Sequence, residues 1–246
     1  MENTLNQEQF EHIKEAAAQG FARAQFNLAL CYHHGDFVEA DFNEALNWYT
    51  KSADQGNMNA AYTLAMLYYK GEELTRDMEK AFKYFEIAAK KGHTMARHYL
   101  AECYTFGQGT EQNFEQAVNW YTQAAEKNNL DSMVNLGICY AEGLGTEQDF
   151  EKAFYWFELA SDKGYAAGEY NLALCYLNGE GAEVDKAKAV EYLIKASEQE
   201  LSDAQYTLAL CYRDGEGVEA DMDKYQYWLQ KAASHGQEDA KELLNS

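Results

Sequence analysis

Residues 21–34 read Phe-Ala-Arg-Ala-Gln-Phe-Asn-Leu-Ala-Leu-Cys-Tyr-His-His, and the repetition of this segment along the chain determines the architecture. Its apolar residues at positions 24, 28, 31 and 32 follow the three- and four-residue spacing of one helix face. Gly35 comes next, and glycine takes the left-handed conformation of a helix C-cap without steric cost. We therefore predict a helix, termed helix A, that stops at Gly35.

A second helix, termed helix B, is predicted a few residues further along. Asp41 is a typical N-cap residue, and the segment Asp41-Phe-Asn-Glu44 has the form of a capping box. The residues that share one face of the following helix are Ala45, Trp48, Tyr49 and Ser52. Helix B is expected to stop near Gly56, which completes a helix-turn-helix unit.

This unit recurs along the chain at an offset of 36 residues. The columns that repeat without a gap include Tyr32, Tyr68, Tyr104, Tyr140, Tyr176 and Tyr212, the glycines Gly35, Gly71, Gly107, Gly143, Gly179 and Gly215, and the capping residues Asp41, Asp77, Asn113, Asp149, Asp185 and Asp221. The copies span residues 21–56, 57–92, 93–128, 129–164, 165–200 and 201–236, with half-copies at 1–20 and 237–246. We predict a single repeat domain over residues 1–246.

Small and large residues alternate between the columns of the repeat. The columns that contain Ala24 and Ala29 hold small residues, which let helices approach closely. Large residues in the columns of Leu28, Tyr32 and Trp48 are expected to fill the space beside them. Because such hairpins bury their apolar faces only against neighbouring copies, the sequence predicts an all-α fold. The architecture is an α/α solenoid, or superhelix, of 36-residue helix-turn-helix repeats.

The composite pattern Ala-x3-Leu-Ala-x2-Tyr-x2-Gly-x5-Asp-x3-Ala-x2-Trp-x3-Ala-Ala-x2-Gly resembles the Sel-one-like repeat, a branch of the tetratricopeptide superfamily. The resemblance covers the chain almost end to end and implies a right-handed solenoid that binds proteins as a scaffold or adaptor, without catalysis. Asn128 and Glu200 stand where the repeat has its closing glycine. We expect these two turns to be bent differently or capped less well.

The composition is that of an acidic chain that folds. Hydrophobic residues make up 47% of the sequence, and 41 acidic against 20 basic residues give a net charge of −21. This charge opposes binding to nucleic acid or to an anionic membrane, and it favours a basic partner. No run approaches 18 apolar residues, and the N-terminus lacks the features of a secretory signal. We expect a soluble, cytoplasmic monomer.

The residues that most often carry chemistry are explained by the repeat. All five cysteines, Cys31, Cys103, Cys139, Cys175 and Cys211, share one column, in which Leu67 fills the remaining place. Leucine replacing cysteine indicates buried, unpaired thiols. Secreted relatives of the resembled family carry two cysteines per repeat, paired between its helices, and have been linked with penicillin binding. One cysteine per repeat argues against that subtype.

Cofactor and metal sites are not expected. No two histidines have the i, i+4 spacing of a metal site on one helix face. The Gly-x-Gly pairs, such as Gly107 with Gly109, follow helices rather than strands, so we interpret them as helix stops and not as a dinucleotide loop. We interpret the loop carboxylates Glu72 and Glu73 as a solvated surface.

The variable positions of helix A are the candidate binding residues. In tetratricopeptide-like stacks this helix lines the concave groove, and transfer of that geometry gives Arg23, Phe26, Leu30, His33, His34, Tyr62, Met66, Tyr69, His98, Glu102, Tyr170, Tyr206, Arg213 and Asp214. The alternative is that the columns of Phe26 and Leu30 simply pack against adjacent A helices. His98 and Glu102 interrupt these columns in the third copy, and this polar break hints at specificity.

Three functional hypotheses follow. The leading one is a non-enzymatic scaffold whose groove binds a basic protein or peptide. The second is a bacterial immunity protein that neutralises a cytoplasmic toxin, because a compact acidic chain suits the blocking of a basic active site. The third, a β-lactamase-like hydrolase, rests on the resembled family alone, since no recognisable nucleophile motif is present.

Overall fold

The structure is a computed structural model that describes residues 7–245. Residues 1–6 of the first predicted half-copy and residue 246 of the last lie outside the described part. Within it the chain forms 14 α-helices and no strand. The helices are α1 Gln7–Ala18, α2 Ala22–His34, α3 Phe42–Asp54, α4 Met58–Lys70, α5 Met78–Lys90, α6 Thr94–Phe106, α7 Phe114–Ala125, α8 Leu130–Glu142, α9 Phe150–Ser161, α10 Ala166–Asn178, α11 Lys186–Glu198, α12 Ser202–Asp214, α13 Met222–Ser234 and α14 Glu238–Asn245.

The helices group into two compact units, Met1–Lys127 with α1 to α7 and Asn128–Ser246 with α8 to α14. Helix A of each copy is an even-numbered helix from α2 to α12, and helix B is the helix that follows it. In both units each A helix packs against its own B helix and against the B helix of the preceding copy in that unit. The predicted all-α fold, an α/α solenoid of helix-turn-helix repeats, is confirmed.

The predicted glycine column ends every A helix. Gly35, Gly71, Gly107, Gly143, Gly179 and Gly215 all adopt the left-handed conformation, with φ between 65° and 76°. The backbone N–H of Gly35, for example, donates to the carbonyl of Cys31 and so satisfies one of the free acceptors at the helix end. The sequence identified these stops correctly.

The capping residues start every B helix, although the predicted capping box is only half formed. Asp41 Oδ1 accepts the backbone N–H groups of Asn43 at 3.0 Å and Glu44 at 3.1 Å. The backbone N–H of Asp41, which a capping box would give to the Glu44 side chain, donates to the carbonyl of Tyr32 at 2.9 Å. The equivalent backbone bond recurs in all six copies, so the last turn of each A helix anchors the start of its B helix.

The core differs from the expectation in two of the three columns of large residues, because the tyrosine column is buried only at Tyr176 and Tyr212 and the tryptophan column lies at the edge of the core. In the six full copies the predicted leucine column is buried, from 0% exposure at Leu64 and Leu136 to 2% at Leu28. Trp48 is only half-buried, with the Lys51 ammonium 4.1 Å from the centroid of its ring. The next position along helix B fills the core instead, with Tyr49, Phe85, Tyr121, Phe157, Leu193 and Leu229 all buried. Helix B is therefore rotated so that the tryptophan column covers the edge of the core.

The two turns that lack the closing glycine keep the conformation of a glycine turn. Asn128 has φ 62° and Glu200 has φ 65°, in the left-handed region occupied by Gly56 and Gly164 in equivalent turns. The expectation of differently bent turns was therefore wrong. Asparagine tolerates this region well, whereas glutamate is strained there because its Cβ crowds the backbone.

Replacing Glu200 with glycine is expected to raise the free energy of unfolding by about 1 kcal/mol, because glycine removes the steric cost of positive φ. Urea unfolding followed by circular dichroism measures the change. The matched control is Glu191→Gly at an exposed position of α11, which is expected to lower stability by about 1 kcal/mol. A Glu200→Gly protein that is no more stable than the parent would show that this turn is unstrained.

Candidate partner-binding surface

The predicted binding residues of the first unit lie on α2, α4 and α6, on a surface termed the A-helix face. Phe26, Leu30, Tyr62 and Met66 are half-buried and pack against the core below them. The Phe26 ring, for example, lies 5.9 Å from the ring of buried Tyr49. These side chains therefore pack against the core and still leave part of their surface accessible.

Two cavities open on the A-helix face of the first unit. The first, termed the Tyr62 cavity, has a volume of about 360 Å³ and is lined by His33, Tyr62, Thr63, Met66, Leu67, Lys70, Glu72 and Glu73. The second, termed the Phe26 cavity, has a volume of about 410 Å³ and is lined by Arg23, Phe26, Asn27, Asn57, Met58 and Asn59. Five predicted residues, Arg23, Phe26, His33, Tyr62 and Met66, thus line concave surface.

A chain of hydrogen bonds runs from the core to the mouth of the Tyr62 cavity. His33 Nε2 lies 3.2 Å from Glu73 Oε1 and 3.1 Å from Glu73 Oε2, and His33 Nδ1 lies 3.1 Å from the Tyr49 hydroxyl. Because a carboxylate only accepts, His33 Nε2 donates to Glu73. Burial, and secondarily the Glu73 carboxylate, raises the pKa of Tyr49, so its phenol stays protonated at neutral pH.

Glu72 and Glu73 are both exposed, as the interpretation of the loop carboxylates as a solvated surface expects, but Glu73 also has a partner that was not predicted. Its side chain is 47% exposed, yet it binds a histidine 40 residues earlier and lines the cavity. A signal for it was present in the sequence. Glu73 occupies the column that holds the second glycine of the Gly-x-Gly pairs at Gly109, Gly145, Gly181 and Gly217, and a charged residue in a glycine column marks a copy that is built differently.

The polar break of the third copy lies mostly below the surface. His98 is only 5% exposed, contrary to its predicted place on an open groove, and its Nε2 lies 3.5 Å from Glu102 Oε1. Its ring is 6.0 Å from the ring of buried Tyr121. The two polar residues occupy positions i and i+4 of α6 and contact each other, which explains why they occur together in the repeat.

The remaining predicted residues of the first unit form the rim. Arg23 and His34 are exposed, and the His34 ring stacks on His33 with centroids 5.1 Å apart. Tyr69 is half-buried, with its ring 5.5 Å from that of Tyr99. These side chains border the A-helix face, and ring contacts hold His34 and Tyr69 in place.

The second unit carries the last four predicted residues on α10 and α12. Tyr170 and Tyr206 are half-buried, whereas Arg213 and Asp214 are exposed. Arg213 donates from Nε to Asp214 Oδ1 at 2.8 Å and from Nη2 to Asp214 Oδ2 at 2.7 Å. This neighbouring pair satisfies much of its own charge, which leaves less of it to recognise a partner.

A smaller cavity occurs at the equivalent place in the second unit. Its volume is about 120 Å³, and its lining residues are Ile138, Ala141, Glu142, Phe150, Ala153, Phe157, Asn171, Leu174, Cys175, Asn178 and Glu180. Six of these match residues of the Tyr62 cavity at an offset of 108 residues, namely Ala141, Asn171, Leu174, Cys175, Asn178 and Glu180. A pocket between consecutive A helices is thus a recurrent feature of the fold.

The cysteines are free and buried, as the sequence predicts. Burial raises the pKa of Cys103 and Cys175 to about 12, and that of Cys139 and Cys211 to about 11. Burial also raises the pKa of Cys31. Such thiols stay protonated at neutral pH, so the cysteine column packs the core and offers no thiolate nucleophile.

The described residues contain neither a metal-ligand cluster nor a membrane-spanning helix. Within residues 7–245, no three histidine, cysteine, aspartate or glutamate side chains are grouped as metal ligands. None of the helices in this range combines the length and the apolar character that a membrane crossing requires.

The repeat itself matches a known family six times in succession. The Sel1 repeat model matches residues 22–57, 59–93, 94–129, 130–165, 166–201 and 202–237. The chain belongs to the Sel1 repeat family. Each Sel1 match begins one or two residues after the start of a predicted copy, so the resemblance and the copy spacing drawn from the sequence are confirmed.

Solved structures of Sel1 repeat and related proteins share the fold. A protective antigen with an SLR fold from uropathogenic Escherichia coli is 28% identical with a TM-score of 0.81, over 94% of this chain and 50% of the antigen. A Sel1 repeat protein from Oxalobacter formigenes is 27% identical with a TM-score of 0.77, over 92% of this chain and 90% of that one. The chain thus spans about half the length of the antigen.

A more distant similarity involves the immunity protein PA5088 from Pseudomonas aeruginosa. It is 20% identical with a TM-score of 0.51, over 87% of this chain and 81% of that protein, which shows a common fold and nothing further. No curated protein matches the sequence. Sel1 repeat proteins are generally protein-interaction scaffolds and are typically not enzymes.

Proposed function

We propose that this Sel1 repeat protein is a non-enzymatic scaffold that holds a basic segment of a partner protein on its A-helix face. The observation that supports this most strongly is the pair of cavities on the first unit, where half-buried aromatic and aliphatic side chains meet exposed polar ones. Such a combination of an apolar floor with a few polar groups is typical of peptide-recognition surfaces.

The charge distribution supports a basic partner. Residues 1–127 contain 18 acidic and 11 basic residues, whereas residues 128–246 contain 23 acidic and nine basic residues. Both units are therefore acidic, and the second carries net −14 of the total net charge of −21. An electrostatic field of this sign accelerates the encounter with cationic segments and disfavours acidic ones, in a manner that weakens as salt increases.

Replacing Phe26 and Tyr62 together with alanine is expected to weaken partner binding by at least about tenfold, because aromatic anchors contribute most to interface affinity. The partner is first identified by affinity capture from a host lysate at low and high salt. Its affinity for each variant is then measured by calorimetry. Far-UV circular dichroism verifies that the variant remains helical.

The matched control replaces two exposed aromatic residues of B helices, Tyr155 and Tyr227, which are 52% and 53% exposed. This control removes the same number of rings and is expected to leave affinity unchanged. If replacing Tyr155 and Tyr227 weakens binding and replacing Phe26 and Tyr62 does not, the partner binds the exposed surface of the B helices and the proposal is wrong.

The immunity hypothesis is tested in the same experiment. The similarity to PA5088 concerns the fold alone, so toxin neutralisation by this chain stays a prediction. It requires a single stoichiometric partner that is toxic when expressed without this chain. Several partners that share one sequence segment would support the scaffold.

The monomeric state and the cytoplasmic location also belong to the proposal. Five free cysteines are typical of proteins in a reducing compartment.

A further inference from the structure

We propose that the Tyr62 cavity binds the side chain of an arginine of the partner, with the Glu73 carboxylate as its main anchor. This inference rests on the proposed function, because it assigns a side-chain specificity to one part of the A-helix face. The distinguishing feature is a carboxylate that the protein holds in position at the mouth of a cavity with an apolar floor.

The position of Glu73 is fixed from the core outward. Tyr49 is 0% exposed, and its hydroxyl is bonded to His33, whose Nε2 in turn donates to Glu73. The imidazole is also held between two rings, with the Phe42 ring edge-on at 5.4 Å and the His34 ring stacked at 5.1 Å. A carboxylate that is already ordered loses little entropy when it accepts a further hydrogen bond, so it is a favourable acceptor for a ligand.

The rest of the cavity suits a long side chain with a cationic end. Tyr62, Met66 and Leu67 provide an apolar lining for an aliphatic stem, and Glu72 adds a second carboxylate beside Glu73. Lys70 lines the same cavity, so the carboxylates outnumber the one lysine. A guanidinium offers donors in a planar fork that carboxylates accept in pairs, which favours arginine over lysine.

The equivalent cavity of the second unit lacks the anchor. There the positions of His33 and Glu73 are occupied by Ala141 and Gly181, and the two carboxylates of the lining, Glu142 and Glu180, have no histidine beside them in that lining. The volume also falls from about 360 Å³ to about 120 Å³. The arginine specificity is therefore assigned to the first unit only.

The experiment titrates the full chain, labelled with [13C]methyl methionine, with acetyl-Gly-Arg-Gly-amide. The neutral comparison peptide has citrulline, which is isosteric with arginine, in its place. The Met66 methyl signal reports the cavity, and the other six methionines of the chain report binding elsewhere. The arginine peptide is expected to shift Met66 with a Kd about tenfold lower than that of the citrulline peptide, because a charge-assisted hydrogen bond is lost in the latter.

Glu73→Gln is the decisive variant, since glutamine can still accept a hydrogen bond from His33 while the charge is removed. It is expected to bind both peptides with the weak affinity of the citrulline peptide. Glu219→Gln removes one charge from an exposed loop of the second unit and is expected to keep the full preference for arginine. Unfolding curves of both variants verify the fold.

Equal affinities for the two peptides, or an equal loss in Glu73→Gln and Glu219→Gln, would overturn the inference. These outcomes are distinguishable from failure of the proposed function. If the native partner loses affinity for the Phe26/Tyr62 variant and not for Glu73→Gln, the A-helix face binds the partner without the arginine contact. If neither variant affects the partner, the proposed surface itself is wrong.

Discussion

Leu136→Ala is expected to lower the free energy of unfolding by about 2–5 kcal/mol, the range for truncation of a buried leucine. Leu136 lies in α8 and is 0% exposed. Truncation removes three methylene-sized groups from the core and leaves a cavity that the surrounding helices fill only in part. The next residue, Gly137, is already in close contact with the Phe157 ring, which would overlap a Cβ at position 137.

The control for this substitution lies in the same column of the repeat. Leu244 is the equivalent residue of the last half-copy and is 40% exposed. Leu244→Ala is expected to cost less than about 1 kcal/mol, because substitutions at the surface seldom cost more. Urea unfolding gives both values from the midpoint and slope. A loss below about 1 kcal/mol in Leu136→Ala would show that the leucine column is not core.

The fold was predictable because each local signal for the start or end of a helix occurs six times in the chain at one spacing. A glycine at Gly35 alone is weak evidence for a helix stop, whereas six glycines at one spacing leave little alternative. The same applies to the N-cap column that begins with Asp41, in which every member caps its helix through the side chain. Local signals of this kind depend on residues close in sequence, which the pattern shows directly.

The parts that the sequence did not reveal depend on contacts between copies. His33 and Glu73 are 40 residues apart and meet through the stacking of two hairpins, so no local pattern contains their hydrogen bond. The burial of His98 also depends on a neighbour, the ring of Tyr121 in the next helix. Periodicity averages over the copies, and it is therefore least informative where one copy departs from the rest.

The A-helix face illustrates a second limit of hydrophobic periodicity. Phe26 and Tyr62 belong to a helix position that both covers the core and borders solvent. An apolar residue is favoured there by packing alone, so its presence cannot separate a structural role from a binding role. The distinction needs the shape of the surface, in this case the two cavities.

Gly217→Ala is expected to lower the free energy of unfolding by about 1–3 kcal/mol more than Gly215→Ala does. Both glycines have positive φ, 69° at Gly215 and 71° at Gly217, so alanine carries the cost of the left-handed region, about 1–2 kcal/mol, at either site. A Cβ at Gly215 would make ordinary contact with Ala220 Cβ at 3.5 Å, whereas a Cβ at Gly217 would overlap the backbone carbonyl of Lys186. The difference between the free energies of unfolding of the two variants therefore measures the cost of the overlap with Lys186 alone.

The close approach holds the loop of one copy against the start of the preceding B helix. Gly109 and Gly181 lie in the same way against the carbonyls of Met78 and Phe150, so the backbone at this column is an interface between copies. Urea unfolding of the two variants measures the difference directly. Equal losses of stability in Gly217→Ala and Gly215→Ala would contradict the prediction, because they would show that the loop can move away from the helix without a cost in free energy.

The same contact explains why Glu73 is available for another role. At Gly217 the loop lies so close to the start of the preceding B helix that there is no room for a Cβ atom. Glu73 does not have the positive φ of these glycines. Its side chain extends to His33 of the preceding copy and forms a hydrogen bond with it. One loop position therefore serves packing where it is glycine, and in the second copy it places a carboxylate at the mouth of the Tyr62 cavity.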